Sequence, residues 1–213
     1  MKNIFIIPLS LILLLTLACS KKESEKIDLG IVENAVYTNK YFNFSLDLSN
    51  NWQVQENQTI QMMRERGKEL LSGDDKNMQA ALDLGDLSTV DLLLASKFPI
   101  GAEVAFNPNI AIVAEKIDLT AGVVSGQEYL ESVAEILKGS RIQTQFDGIY
   151  DTTNLGGVDF ANIRVTMTYM DKSVSQEYFA SVIKGYALSV IISFTDENQY
   201  SALMDLLRTL KFN

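Results

Sequence analysis

Val158-Asp159-Phe160-Ala161-Asn162-Ile163-Arg164-Val165-Thr166-Met167-Thr168-Tyr169-Met170 alternates apolar and polar residues over almost its whole length. Ile163, Val165, Met167 and Tyr169 fall on one side, Arg164, Thr166 and Thr168 on the other. A period of two over so many residues predicts a strand with one buried face. Asp171-Lys172 turns the chain, and Val174 to Ile183 comes back. Lys184-Gly185 turns it again, and Tyr186 to Phe194 returns. Three such runs joined by short turns read as an antiparallel meander. Asp196 with Gln199 then caps a closing helix whose apolar face is Tyr200, Leu203, Leu207 and Leu210,.

Working back from the meander, Arg141 to Tyr150 is strand-like. Ser125 and Glu128 form a capping box ahead of a helix bearing Tyr129, Leu130, Val133 and Leu137, closed by Gly139,. Thr89–Phe98 and Ile110–Leu119 read as strands, separated by Pro99, Gly101 and Asn107-Pro108-Asn109. Ile60, Met63, Gly67 and Leu70-Leu71 follow helical spacing and predict a helix with Arg64, Glu65, Lys68 and Glu69 outside,. Ser72-Gly73-Asp74-Asp75 breaks it, and a weaker helix follows with Met78, Ala81 and Leu82 on one face. Near the start, Tyr41 to Leu48 reads as a strand, Asn50-Asn51 as a turn, and Trp52 with Val54 as a second strand, which predicts an opening hairpin,. Strands at both ends, helices between, and a meander instead of βαβ units argue an α+β fold: an antiparallel sheet flanked by helices.

The first residues carry a different message. Lys2 is followed by an apolar run from Ile4 to Leu17, then Ala18 and Cys19, the one cysteine in the chain. This is the layout of a signal peptide, and Leu15-Thr16-Leu17-Ala18-Cys19-Ser20 resembles a bacterial lipobox. The expectation is a cleaved lipoprotein signal peptide over residues 1–18 and lipid attachment at Cys19. A lipid-anchored tether then covers 19–35, and a single domain covers 36–213. Two or more acyl chains make such anchoring stable. The localisation expected is the bacterial cell envelope, on the outer face of the plasma membrane or on the outer membrane. In a host with two membranes, Ser20 in place of aspartate resembles the class sorted to the outer one.

Composition narrows the chemistry. Lys2 is the leader's only charge, so the part after it carries a net charge of about −10, which repels nucleic acid and anionic headgroups. Nucleic acid is not an expected partner. Histidine is absent. That removes serine–histidine and cysteine–histidine catalysis and the usual zinc sites. A lone cysteine excludes an intramolecular disulfide, so the core must stabilise the fold.

Each remaining candidate has a plain structural reading. Ser181-x-x-Lys184 matches a serine–lysine spacing, but at the end of a strand those positions face opposite ways,. Asp74-Asp75, Asp83 with Asp86, and Asp147 with Asp151 lack the spacing of a calcium loop and read as solvated or capping acids,. Gly156-Gly157 is a turn, with no strand-to-helix glycine fingerprint around it,. Tyr169, Tyr178 and Tyr186 are expected to cluster across the meander as packing,. Met62-Met63 and the apolar loop Ala121-Gly122-Val123-Val124 are the two stretches that fit a partner or ligand surface, with core packing as the plain alternative,. No catalytic residue, metal site or cofactor follows from the sequence, and no enzyme activity is expected.

Tyr37-x-x-x-Tyr41-Phe42-x-Phe44-x-Leu46-x-Leu48-x-x-x-Trp52, the two-turn meander with Gly185-Tyr186-x-Leu188-x-Val190-x-Ile192, and the ending Leu207-x-x-Leu210-x-Phe212 resemble the PsbP-like superfamily. That group includes the Mog proteins and many bacterial lipoproteins. Ser49 stands where the group often has a proline. The resemblance spans residues 36–213 and implies an α/β/α sandwich, with members that are mostly non-enzymatic partners of larger assemblies. The function expected is a lipid-anchored envelope lipoprotein whose domain binds a protein partner. The alternative is a small-molecule or lipid-binding lipoprotein with a pocket between sheet and helices.

Overall fold

The computed structural model describes residues 27–117 and 123–213. The meander is present as read. Strands β8 (Val158–Tyr169), β9 (Lys172–Ile183) and β10 (Tyr186–Phe194) pair antiparallel through two-residue turns, with Met170, Asp171 and Lys184 in the left-handed region that such turns require,. On the outer side of β8, β7 (Gln143–Leu155) pairs through a bulge between Asp147 and Asp151. On the inner side of β10 lies β6 (Asn109–Lys116), then β5 (Thr89–Ser96) and the two-residue β4 (Gln53–Val54). The result is a seven-stranded antiparallel sheet, ordered β4-β5-β6-β10-β9-β8-β7.

A second sheet of four strands, ordered β1-β2-β3-β11, joins β1 (Ile31–Glu33), β2 (Val36–Asn39), β3 (Phe44–Asp47) and β11 (Lys211–Phe212). It packs with helix α4 (Glu197–Leu207) over one face of the large sheet. Their Phe44, Leu46, Leu203 and Leu207 share one core with Ile112, Phe179, Leu188 and Ile192. Helix α3 (Gly126–Gly139) covers the opposite face, where Leu130 meets Ile163 and Ala180. Helices α1 (Asn57–Ser72) and α2 (Lys76–Ser88) are inserted between β4 and β5. The α+β class with an antiparallel sheet between helical layers is therefore present, and one layer is shared with a small sheet.

Three local readings change. The expected hairpin between Tyr41–Leu48 and Trp52–Val54 does not form. β3 pairs with β2 and β11, while β4 belongs to the other sheet and pairs with β5. Leu48 and Trp52 are both buried, and Asn51 takes a positive φ, so Asn50-Asn51 carries the chain from one sheet to the next instead of folding it back. Residues 31–33, expected within the tether, pair with β2 as β1 through a tight turn at Asn34 and Ala35. Asp28 is fixed as well. It accepts from Gly30 and Lys40 backbone N–H groups, and its carbonyl accepts from the buried Asn39 amide at 2.7 Å. Finally, the inner face of α1 is rotated from the expected stripe and takes in Arg64 and Lys68, as described below.

Gly126 shows how tightly α3 sits. A Cβ there would lie 2.0 Å from the Ala180 carbonyl oxygen in β9, whereas a Cβ at Gly85 in α2 meets nothing within 4 Å. Gly126→Ala must push α3 off the sheet and is expected to lower stability by about 1–3 kcal/mol. Gly85→Ala is expected to raise it by about 0.5–1 kcal/mol through helix propensity. Chemical denaturation of the two variants checks both signs.

Candidate functional site

Cys19 and the Ala121-Gly122 half of the apolar loop lie outside the described residues. Val124 is 62% exposed. Its backbone N–H donates to Glu128 Oε2 at 2.9 Å, and the Ser125 N–H donates to the same oxygen at 3.0 Å. Ser125 Oγ accepts from the Glu128 N–H at 3.2 Å, completing the capping box. Those donors, first the Val124 backbone and then Ser125, hold the Glu128 carboxyl below its ordinary value of 4.5. A depressed carboxylate stabilises the fold in its charged form. The start of α3 is therefore fully capped above about pH 4.5 and loses that support as pH falls through the lowered value. An NMR titration of Glu128, with amide exchange read at Gly126–Tyr129, should show both; a midpoint at or above the ordinary value would contradict the cap.

Met62 and Met63 are exposed, and so is most of the pair of helices that carries them. The sequence places Arg64 and Lys68 outside, but both are half-buried, as Ile60, Gly67 and Leu71 of the stripe are; Met63 and Leu70 of the stripe are exposed, and Glu65 and Glu69 lie outside as read. Arg64 Nη1 lies 3.3 Å from Asp86, and Nη2 is ion-paired with Asp91 of β5. Lys68 Nζ lies 2.6 Å from Asp86, 2.9 Å from Glu65 and 3.0 Å from Asp83. Asp86 foremost, then Glu65 and Asp83, push the Lys68 ammonium above its ordinary range. With two cations turned inward, Met62, Met63 and Leu70 of α1 face solvent. On α2, Leu84 is 69% exposed and Leu87 86% exposed, and no residue of that helix is buried. The spacing of Ile60, Met63, Gly67 and Leu70 predicts a helix correctly. It misses Arg64 and Lys68 on the inner face because the acids that draw them inward lie on α2 and β5.

Two grooves border this region. One, of about 460 Å³, runs between α1 and α2 and is lined by Met62, Glu65, Arg66, Glu69, Gln79 and Asp83 among others. The other, of about 260 Å³, lies between β1, the β4–β5 edge and the start of α1, with Leu29, Ile31, Val32, Val54 and Ile60 in its wall. Neither holds the arrangement of a nucleophile and base or a set of metal ligands. Among the described residues, no group of three or more Asp, Glu or Cys side chains could hold a metal ion, and no helix is long and apolar enough to cross a membrane.

The other candidates are accounted for locally. Asp75 N-caps α2, accepting from the N–H groups of Asn77 and Met78. Asp83 and Asp86 hold Lys68. Asp147 and Asp151 flank the bulge of the edge strand β7. Lys184 donates to the Tyr41 carbonyl at 2.6 Å and not to Ser181. Gly156 and Gly157 form the β7–β8 turn with positive φ. The three tyrosines do not cluster. Tyr186 packs edge-on against Tyr41 and Phe42, Tyr178 donates to Gln176 on the opposite sheet face, and Tyr169 lies against Arg141. Their strands put Tyr186 on a different face from Tyr178, which defeats the cross-strand contact.

One polar cluster escapes sequence reading. Glu177, 5% exposed, accepts from Asn162 at 3.0 Å and twice from Arg164, at 2.8 and 3.2 Å. Arg164 in turn lies 4.3 Å from the centre of the Tyr200 ring. The charge is neutralised and its oxygens are occupied, so the cluster fastens α4 to the sheet and leaves no free acid for chemistry. The register of β8 on β9 sets Arg164 opposite Glu177, and that is the signal a sequence reader would need.

No family model and no curated protein matches the chain. Among solved structures it is similar to cyanobacterial PsbP from Synechocystis sp. PCC 6803 (11% identity, TM-score 0.47, 86% of this chain and 95% of that one). It is also similar to LpqN of Mycobacterium tuberculosis, described as involved in cell envelope biogenesis (12% identity, TM-score 0.43, 79% of this chain and 82% of that one).

Proposed function

We propose that this chain is a lipoprotein of the bacterial cell envelope, anchored by lipid on Cys19, whose domain holds a protein partner without catalysing a reaction. The observation that carries the partner-binding reading is the outward display of Met62, Met63, Leu70, Leu84 and Leu87 on a helical pair that Arg64 ties to Asp91 of β5. Apolar side chains gathered on one excursion of a folded domain favour a surface that another molecule covers. The anchor rests on the leader and the Ala18-Cys19-Ser20 context. The apolar groove beside β1 supports the second reading, a small-molecule or lipid ligand,.

Crosslinking of the intact chain in its host, followed by mass spectrometry, separates the two. Cys19→Ala serves as the unanchored control and is expected to leave the membrane fraction. One dominant protein adduct that depends on the anchor is the expected result. No adduct above the control would overturn the partner reading and favour the groove.

A further inference from the structure

We infer that the end of the domain where the chain enters is a docking face for anionic lipid headgroups, formed by Lys40, Lys116 and Lys184. This rests on the anchor reading above and adds the orientation of the domain on its membrane. The three lysines come from strand ends that meet there. Lys40 follows β2, Lys116 closes β6, and Lys184 sits in the β9–β10 turn. They surround one aromatic pair. Tyr41 packs edge-on against Tyr186, with 5.9 Å between ring centres, and Lys184 Nζ lies 5.1 Å from the centre of the Tyr41 ring. Lys116 is the cross-strand partner of Tyr186, and Lys40 precedes Tyr41. All three lysines are exposed, and none is ion-paired among the described residues. Lysines and tyrosines carry an apolar body and a polar tip, which suits them to the boundary between lipid and water. The exposed Val124 belongs to the same end, because α3 begins just after it, over Ala180 of β9.

Charge is divided between the two ends of the strands. Near the lysines, Asp28 and Glu115 are half-buried and already accept from Gly30, Lys40, Tyr129 and Ser88, while the exposed Asp159 accepts from Asn154. At the other end Asp47, Glu103, Asp171 and Asp196 are exposed against Lys172, and Lys97 donates to the Asn50 carbonyl. A chain of net charge −9 thus keeps one end on which exposed bases outnumber exposed acids. The tether selects the occupant. Cys19 and Ile27 are eight residues apart, a reach of about 26 Å at full stretch. Ile27 is packed against the main core and Asp28 is bonded to the Lys40 backbone, so the entry is fixed beside Lys40. β9 has 12 residues, which at ~3.4 Å each puts the acidic end about 40 Å from the lysines. A tether of that length cannot turn the acidic end to the bilayer, whereas it holds the lysines within reach of it. There an anionic surface attracts them over a Debye length, about 8–10 Å. An acidic protein would match the same charges, but it would have to displace the headgroups that the anchor brings to this end.

The test places a photoreactive residue at Val124, or at Ile100 in the β5–β6 loop of the acidic end, both exposed. The intact chain is reconstituted in phosphatidylcholine vesicles with and without phosphatidylglycerol, and Cys19→Ala serves as the unanchored control. The expected result is a lipid adduct at Val124 and none at Ile100, with the Val124 yield rising when phosphatidylglycerol is present. Lys40→Glu with Lys116→Glu, whose side chains make no bond among the described residues, should cut that yield about tenfold in the mixed vesicles and leave the melting curve in place. A lipid adduct at Ile100, equal yields with and without phosphatidylglycerol, or an unchanged yield after the charge reversal would overturn the proposal. So would a protein adduct at Val124 when the same probe is used in cells, which would assign the face to a partner. A chain that does not stay with the vesicles, or a Cys19→Ala chain that does, removes the anchor reading and this proposal with it. A chain that anchors through Cys19 but gives the wrong adducts removes the proposal alone.

Discussion

The structure depends on β10 being buried on both of its faces. Every residue from Tyr186 to Ser193 pairs with both β6 and β9. Leu188, Val190, Ile192 and Phe194 point into the core shared with α4 and the small sheet. Ala187, Ser189 and Ser193, on the other face, are equally closed to water. A strand in that position has no side left for variation. Its backbone bonds are all used in the ladder, and its side chains must suit two different layers at once. Toward α3 the fully buried positions are small, with Ile191 half-buried among them, and Leu188, Val190, Ile192 and Phe194 turn toward α4.

What could be read from sequence follows from this. The meander, the α3 capping box and α4 are local patterns: alternation, a two-residue turn, a serine three residues before a glutamate. Each is complete within a dozen residues, and each is present. The small sheet was missed because β1 and β2, although joined to each other and to β3 by short turns, have only three and four residues, and because its last pairing is remote. β3 meets β11 at Phe44 and Phe212, and β11 has only two residues, too few to show a period. Phe42, Phe44, Leu46 and Leu48 announce burial without saying which strand lies beside them. The candidate surface was half legible. Met62-Met63 stood out by composition, but Leu84 and Leu87 looked like ordinary helix residues until the ion pairs of Arg64 and Lys68 fixed which way both helices turn.

Of those ion pairs Arg64–Asp91 reaches the sheet and the others lie within the helical pair, whose α1 is also held by Arg141 donating to the Leu70 and Leu71 carbonyls. Exposed or half-exposed pairs contribute roughly 0–1 kcal/mol each, far less than the burial that fixes α3 and α4. Ser72 is the one buried residue in α1, and α2 has none. A helical pair attached in this way belongs to the low-stability end of a fold, the end from which binding elements are drawn. Salt weakens its attachment, while the sheet, held by Ile112, Phe179 and Leu188 at full burial, is indifferent to it.

The fixing of Asp28 has a mechanical side. The chain enters at Ile27, is clamped at once by Asn39, Gly30 and Lys40, and continues into β1. β1 is one edge of the small sheet, and β11, near the other end of the chain, is the opposite edge. A pull on the chain ahead of Asp28 is therefore shared at once by Ile27, packed against the main core, by the clamp and by the β1–β2 ladder.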